Sequence, residues 1–324
     1  MSSPAPARSR WLRHVLSAAV FVAAIVFLSR TAGDIGFRAL GERLSGASLP
    51  LLAATVAITL ARYAIWGTRW QLLSRPVARI GWLTAQRGML YSLFVTTVVP
   101  ASRAFGGILR GQHAARVARQ PAGPLVGSAI VDQFGYSTVS MILGVAFVPA
   151  AVWGGGDRQR GGSGWSWGIA AAMLAPALYF LWRHRAFLLE RLRRRIPAVT
   201  GTVEAAVAAA RTLLALRSTW AVMAVGGTAL WVVNVWTYQI AAASLGASLP
   251  FSGAAIAFSL GSLAGTLTGT PGGAGTTEAA ALAPLLALGI PADQALALIL
   301  LARGVHYLGS LALGGACALV VPKP

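Results

Sequence analysis

Long apolar runs alternate along the chain with short basic or glycine-rich stretches. A helix needs about 20 predominantly apolar residues to cross a bilayer. Runs that predict such crossings are Val15–Leu28, Leu49–Leu73, Leu125–Trp153, Trp165–Trp182, Trp220–Leu245 and Pro291–Val321. The first is short, so we expect it to extend into its flanks or to tilt. The pattern predicts an all-α, polytopic integral membrane protein.

One further apolar segment, Trp82–Val99, is followed at once by Pro100, Arg103 and Arg110. A simple crossing would carry these arginines to the outside, whereas basic residues usually stay on the cytoplasmic side. Both patterns are satisfied if one half-helix enters the membrane, the chain turns at Pro100, and a second half-helix returns. We therefore predict a re-entrant hairpin here.

A second apolar segment, Phe251–Leu288, is divided by the sequence TPGGAG at Thr270–Gly275. Each part is short for a full crossing, so we predict a second re-entrant hairpin. Irregular backbone at membrane depth is tolerated only where protein or a water-filled cavity covers it. The two broken segments therefore predict a pocket inside the membrane.

The chain is predicted to be a single membrane domain, 1–324, built from two similar halves, 1–155 and 163–324. Each half consists of a helix, a second helix, a proline-interrupted hairpin and a final helix. With the N-terminus inside, the hairpins enter from opposite sides, which makes the halves an inverted repeat. Pro100 and Pro271 are 171 residues apart, and the same offset relates Asp132 to Arg303, two charges of opposite sign.

Basic residues outnumber acidic ones by 27 to 8, giving a net charge of +19. Such a charge first suggests nucleic-acid binding. Most arginines, however, lie between apolar runs, and only 11% of residues are charged, so we expect no nucleic-acid partner. The distribution predicts a bacterial cytoplasmic membrane protein with both termini cytoplasmic. The link Arg30–Ser48 is expected outside, and Arg183–Arg217 is expected to be an amphipathic helix on the inner surface or a solvated loop.

Metal and cofactor chemistry have little support in the sequence. Cys317 is the only cysteine, and the four histidines are scattered. Sequence signatures of hydrolases, zinc proteases and nucleotide-binding loops are missing from the chain. We therefore expect no metal and no cofactor, and the sequence leaves open whether the protein is an enzyme.

The two broken segments also contain the candidate ligand-binding residues. A helix interrupted inside the membrane exposes backbone N–H groups, which attract anions such as a lipid phosphate. Gly272, Gly273 and Gly275 would let the backbone approach such a ligand, and Thr276 adds a hydroxyl group. The alternative is a simple helix-breaking loop capped by its own residues. Arg103 and Arg110, two helical turns apart, either bind the same phosphate or mark the inner surface.

Three charged residues in apolar surroundings are candidates for a gate. Asp132 and Glu278 are acids within apolar segments, and Arg303 is the expected partner of Glu278. Charges at such positions are costly and often functional. The alternative is a structural ion pair that fixes helix packing.

The same residues resemble a known family. Pro100 to Arg110 (PASRAFGGILR) and Pro271 to Glu278 (PGGAGTTE) are similar to motifs of the lysylphosphatidylglycerol synthase transmembrane, or flippase-like, family. Gly107 stands where that family usually has an acid. The resemblance covers nearly the whole chain and implies a bilayer-embedded domain that moves lipids between leaflets. It does not extend to the soluble aminoacyl-transfer domain of the best-known members.

These observations predict a flippase that moves an anionic or polyprenyl-linked lipid between leaflets, with membrane lipids as its partners. One alternative is an integral-membrane transferase or hydrolase that acts on a lipid, with Glu278 or Asp132 as general base. Another is a non-catalytic membrane partner of a lipid- or glycan-modifying enzyme.

Overall fold

The computed structural model describes residues 37–99, 105–147, 200–268 and 271–319, and helices account for nearly all of them. No strand occurs within those four ranges. The helices are α1 (Phe37–Ser45), α2 (Leu49–Ser74), α3 (Trp82–Val98), α4 (Gly106–Ala118), α5 (Ala122–Ala146), α6 (Thr200–Ala215), α7 (Arg217–Ser244), α8 (Phe251–Thr268), α9 (Thr276–Ala287) and α10 (Ala292–Leu319). A 3₁₀ turn, Pro271–Gly273, lies between α8 and α9.

Four helices, α2, α5, α7 and α10, are long and apolar enough to cross a membrane. Each begins within three residues of a start that the apolar pattern predicts. The prediction of an all-α polytopic membrane fold is confirmed. The predicted crossings Val15–Leu28 and Trp165–Trp182 lie outside the described residues.

Two helical hairpins fill the space beside these long helices. Helices α3 and α4 have 17 and 13 residues, and α8 and α9 have 18 and 12. At 1.5 Å per residue, all four are shorter than the hydrocarbon core, which is about 30 Å thick. Short lengths favour re-entrant hairpins, whose depth in the bilayer stays a prediction.

The hairpins open towards opposite ends of the bundle. The first begins and ends beside the α2–α3 link, where the Gln120 side-chain amide donates to the Arg79 carbonyl oxygen over 2.8 Å. Both ends of the second hairpin lie at the opposite end of the bundle, where a Cβ added to Gly253 at the start of α8 would lie 2.4 Å from Leu288 after α9. Ser48 at the start of α2 donates its N–H to Ser244 at the end of α7 over 2.9 Å, so these two helices run antiparallel.

Corresponding helices recur at a nearly constant spacing. Helices α2, α3, α4 and α5 begin at 49, 82, 106 and 122, and α7, α8, α9 and α10 begin at 217, 251, 276 and 292. The starts are thus 168, 169, 170 and 170 residues apart. The boundaries of the two predicted halves, 155 and 163, lie outside the described residues, so that division stays a prediction.

Two short helices lie where the sequence predicts links. Helix α1 occupies part of Arg30–Ser48 and is joined to α10 by an exposed ion pair of 2.8 Å between Arg43 and Asp293. Helix α6 lies within Arg183–Arg217 and packs along α5, where a Cβ added to Gly127 would lie 2.3 Å from the Ala206 carbonyl oxygen. The described part of this segment, Thr200–Ala215, is therefore helical, and its arginine-rich part, 183–195, lies outside the described residues.

Glycines set the closest contacts of the first hairpin. A Cβ added to Gly111 on α4 would lie 2.5 Å from the Val126 Cα of α5, and one added to Gly314 on α10 would lie 2.3 Å from the Leu90 carbonyl oxygen of α3. Small residues let helix backbones approach closely in a membrane, where apolar burial gives little driving force for packing. The hairpin is thus held against one long helix from each half.

Candidate functional site

A buried carboxylate, Asp132, joins the first hairpin to two long helices. It lies on α5 and forms ion pairs of 2.8 Å with Arg69 of α2 and 2.9 Å with Arg110 of α4. The side chains of all three residues are at most 2% exposed. The Trp66 indole N–H also lies 3.3 Å from the carboxylate. Asp132 therefore ties three helices together through charge.

Aromatic rings cover both guanidinium groups of this cluster. Arg110 lies over the Trp70 ring at 4.7 Å, and Arg69 lies over the Tyr136 ring at 5.1 Å. Arg110 also donates to the Ala129 carbonyl oxygen over 2.9 Å. Cation–π contacts strengthen when water is excluded. These contacts help to offset the desolvation of two arginines in the protein interior.

A second ion pair joins the second hairpin to α10. The Arg303 Nε atom lies 2.6 Å from Glu278, the third residue of α9. Arg303 and the Tyr307 hydroxyl group both donate to the Gly272 carbonyl oxygen at 3.0 Å, and they also bond to each other. The broken segment is thus held from α10 by charge and by hydrogen bonds.

The glycine-rich turn depends on backbone angles that favour glycine. Gly272, Gly273 and Gly275 have φ values of 55°, 74° and 79°. A side chain is rarely tolerated in this left-handed region. The Thr276 hydroxyl group bonds the Gly273 carbonyl oxygen over 3.2 Å. The predicted break is present at the predicted place, and the Gly272 carbonyl group faces α10.

A central cluster lies between the two ion-pair clusters. Arg62 of α2 donates to the Asn234 side-chain oxygen of α7 over 2.9 Å and contacts the His306 Nδ1 atom of α10. The Tyr63 hydroxyl group donates to the His306 carbonyl oxygen over 2.8 Å. The Asn234 amide donates to the Tyr136 hydroxyl group of α5 over 3.0 Å. Four long helices meet in this cluster.

The three clusters form one continuous chain of ion pairs, hydrogen bonds and ring contacts, which we call the buried network. Tyr136 joins the first cluster to the central one, because its ring lies under Arg69 and its hydroxyl group binds Asn234. The stacked rings of His306 and Tyr307, 6.0 Å apart, join the central cluster to the second. The members are Arg62, Tyr63, Arg69, Arg110, Asp132, Tyr136, Asn234, Glu278, Arg303, His306 and Tyr307.

The structure separates the residues that the sequence predicts as one site. Glu278 and Arg303 form the expected pair, whereas Asp132 is paired with Arg69 and Arg110 in the other half. Arg110 is turned into the protein and is 1% exposed, so in this conformation it does not offer its guanidinium group to a headgroup. Arg103 lies outside the described residues.

Sequence reasoning assigned no site role to Arg62, Arg69 and Tyr136. A signal for the two arginines exists, because they lie seven residues apart on α2 and therefore share one helix face. Asn234 of α7 and His306 of α10 both contact Arg62 of α2, so this arginine connects three long helices.

Comparison with known families now identifies the chain. It belongs to the family described as the lysylphosphatidylglycerol synthase TM region, whose sequence model matches residues 14–314. A search of curated proteins gave no match. The match makes this a membrane protein of lipid metabolism or translocation.

Proposed function

We propose that this member of the lysylphosphatidylglycerol synthase TM-region family moves a phosphate-bearing lipid, either anionic or polyprenyl-linked, between the two leaflets of the bacterial cytoplasmic membrane. The buried network carries the proposal. It runs through the protein interior between two hairpins that open towards opposite ends of the bundle. A lipid headgroup moving between leaflets needs such a polar path, because a bare charge in hydrocarbon is very costly.

The two ion-pair clusters are the gates in this proposal. Arg110 ties the returning helix of the first hairpin to α5, and Glu278 ties the returning helix of the second hairpin to α10. Removing one partner of a buried pair costs about 3–5 kcal/mol, because the other charge is left uncompensated. A lipid phosphate that replaces a carboxylate beside an arginine lowers this cost. Loading of the headgroup is thus coupled to opening of one gate.

Alternating access follows from the arrangement of the hairpins. Loss of the Asp132 contacts frees the hairpin at one end of the bundle, and loss of the Glu278 contact frees the hairpin at the other end. A lipid translocator must open one end at a time, since simultaneous opening would let ions leak. Proteins built from inverted repeats achieve this by rocking one element against another around a central site.

The alternative of a lipid-modifying enzyme requires a carboxylate oxygen that is free to act as general base. Asp132 is a poor general base because each of its carboxylate oxygens is engaged by an arginine, one by Arg69 and the other by Arg110. Glu278 has a second carboxylate oxygen, Oε2, that is buried and has no hydrogen-bond partner among the described residues. An enzyme built on this fold would use that oxygen.

Leaflet exchange in proteoliposomes tests the proposal. Purified protein is reconstituted with fluorescent phosphatidylglycerol, and a membrane-impermeant quencher measures the fraction of label that changes leaflet. We expect exchange with the unmodified protein and at least about tenfold slower exchange with Glu278→Gln and Arg303→Ala. Arg43→Gln, which removes an exposed ion pair, is the matched control and keeps the full rate.

The same vesicles distinguish the alternatives. Mass spectrometry of the lipids would reveal a covalently altered lipid if the protein were an enzyme. A rate equal to that of empty vesicles for every phosphate-bearing lipid, with no altered lipid, would exclude both activities. That result would leave a role as membrane partner of another enzyme.

A further inference from the structure

Arg62 lies at the middle of a membrane-spanning helix without a carboxylate partner in the described ranges. It occupies the centre of the 26-residue helix α2 and is 8% exposed. Its partners are the Asn234 side-chain oxygen, the His306 Nδ1 atom and the Tyr63 ring, whose centroid lies 5.2 Å away. Its Nε atom is buried and has no hydrogen-bond partner there.

The neighbours of Arg62 add no negative charge. Asn234, Tyr63 and His306 are not acidic side chains, so none of them supplies the negative charge of a carboxylate. Arg62 therefore lacks a compensating carboxylate among the described residues.

Charge counting over the buried network gives the same result. Arg69 and Arg110 share Asp132, and Arg303 has Glu278. Four arginines thus face two carboxylates, which leaves a formal charge of +2 on the described part of the network. A buried positive charge at the middle of a span is costly unless an anion is bound there for part of the time.

We propose that Arg62 is the residue that binds the phosphate group of the ligand, a phosphomonoester or phosphodiester. A guanidinium group offers donors in a planar fork that matches phosphate oxygens. The unpartnered Nε–H group of Arg62 supplies one donor without breaking an existing bond. The Tyr63 hydroxyl group lies beside it. The role of this site in transport rests on the proposed function, whereas phosphate binding at Arg62 does not.

Helix α10 provides the route to this site. His306, Arg303 and Tyr307 are partly exposed, although they bond to buried residues on α2 and to the glycine-rich turn. On the same stretch of α10, a Cβ added to Gly304 would have no neighbouring atom within 4 Å. Arg62 itself is buried, so a headgroup that enters along this face of α10 must displace the His306 ring from the guanidinium group.

Binding measurements on the full-length protein in an uncharged detergent test this inference. Thermal unfolding is followed during titration with phosphatidylglycerol, with glycerol 3-phosphate and with diacylglycerol. We expect phosphatidylglycerol to raise the unfolding temperature and diacylglycerol, which has no phosphate, to leave it unchanged. Stabilisation by glycerol 3-phosphate alone would identify the ligand as a soluble phosphate ester instead of a lipid.

Substitution of Arg62 gives the decisive comparison. Arg62→Gln should weaken phosphatidylglycerol binding by about tenfold or more, since a hydrogen-bonded charge is lost. Arg62→Lys keeps the charge but loses the fork and should bind with intermediate affinity. Without ligand, Arg62→Gln should unfold at the same or a higher temperature, because an uncompensated charge is removed. Arg43→Gln should behave as the unmodified protein in every titration.

Equal affinity of phosphatidylglycerol for Arg62→Gln and the unmodified protein would overturn the inference. If Arg62→Gln does not fold, Arg62→Lys decides, and unchanged affinity in that variant overturns it as well. Binding that depends on Arg62 in a protein without lipid exchange would sustain this inference and refute the proposed function. Exchange that is unaffected by Arg62→Gln, together with unchanged binding, would refute this inference alone.

Discussion

Asp132 and Arg303 occupy corresponding positions in the two halves of the chain and carry opposite charges. Asp132 is the eleventh residue of α5, and Arg303 is the twelfth residue of α10. Each is paired with an opposite charge on the returning helix of its hairpin, Arg110 in one case and Glu278 in the other. The same connection between hairpin and long helix is thus built twice with the signs reversed.

Reversal of the second ion pair tests whether charge attraction holds that hairpin. Glu278→Arg and Arg303→Glu each place two like charges together, and each should lower the free energy of unfolding by about 3–5 kcal/mol. The double variant restores the attraction and should recover a large part of this loss. Thermal unfolding in detergent measures all three variants.

The matched control is the exposed pair Arg43–Asp293, whose reversal should change stability by less than about 1 kcal/mol. If the losses of the two single variants at 278 and 303 simply add in the double variant, charge attraction is not what holds the hairpin there.

Neutralising Asp132 should destabilise the protein more than neutralising Glu278. Asp132→Asn leaves Arg69 and Arg110 buried beside each other without a carboxylate, whereas Glu278→Gln leaves only Arg303 unpaired. Adding Arg110→Gln to Asp132→Asn removes one of the two uncompensated charges and should recover part of the stability. Chemical or thermal unfolding in detergent ranks the variants by stability.

An equal loss in the two single variants would contradict the double ion pair. A further decrease in stability on adding Arg110→Gln would show that Arg110 acts through its packing on Trp70 and its bond to the Ala129 carbonyl oxygen.

Part of the site can be predicted from the sequence, because the residues that indicate it form recognisable patterns along the chain. Proline followed by glycines within an apolar segment predicts the break at Pro271–Gly273, since such residues cannot continue a helix. The pair of Glu278 and Arg303 is predictable because few charges lie in apolar segments and each needs a partner. The family motif at Pro271–Glu278 points to the same residues.

The partners of Asp132 could not be predicted in the same way. Charged side chains within apolar segments are expected to face the protein interior, which applies to Arg69, Arg110 and Asp132. The hydropathy pattern does not show which helices face each other. Arg110 was therefore expected either to bind a phosphate or to mark the inner surface, whereas the packing of α4 on α5 brings it to a carboxylate. The helical link α1 was missed because its apolar positions, Phe37, Leu40 and Leu44, repeat at helical spacing over nine residues only, which is shorter than the window that predicts a helix.

Substitution of Gly272 tests how rigidly the turn is held. Gly272→Ala places a side chain on a backbone with a φ of 55°, and the new Cβ would lie 2.7 Å from the Tyr307 ring. The hydroxyl group of that tyrosine donates to the Gly272 carbonyl oxygen. Backbone strain of this kind costs about 1–3 kcal/mol, and the contact with the ring adds to it. We expect a lower unfolding temperature and slower lipid exchange.

Gly304→Ala is the control, because it adds the same methyl group to open space within α10. That substitution should leave stability unchanged or raise it by about 0.5–1 kcal/mol, since alanine favours a helix interior. Equal effects at 272 and 304 would contradict the rigid turn.

Cysteine labelling tests the orientation of the two hairpins. With Cys317 replaced by serine, single cysteines are introduced at exposed positions before and after each hairpin: Arg75 and Arg116 for the first, Ser248 and Ala287 for the second. A membrane-impermeant maleimide is then applied to spheroplasts and to inverted vesicles. We expect the first two positions to react from the cytoplasmic side and the last two from the outside.

These four positions give the orientation of the hairpins, but they do not separate a re-entrant hairpin from a pair of ordinary crossings. Suppose that α3 and α4 each crossed the bilayer and were joined by an external loop. Arg75 and Arg116 would still lie on the same side of the membrane. A fifth cysteine, placed at Gly106 near the tip of the hairpin, is therefore needed. A re-entrant tip is buried beside Ser92, whose hydroxyl group donates to the Gly106 carbonyl oxygen over 2.7 Å, and should resist labelling from both sides. Ready labelling of that position from the outside would mean that the first hairpin crosses the membrane completely. The first hairpin would then not be re-entrant, and its proposed role as a gate that opens to one side would be lost.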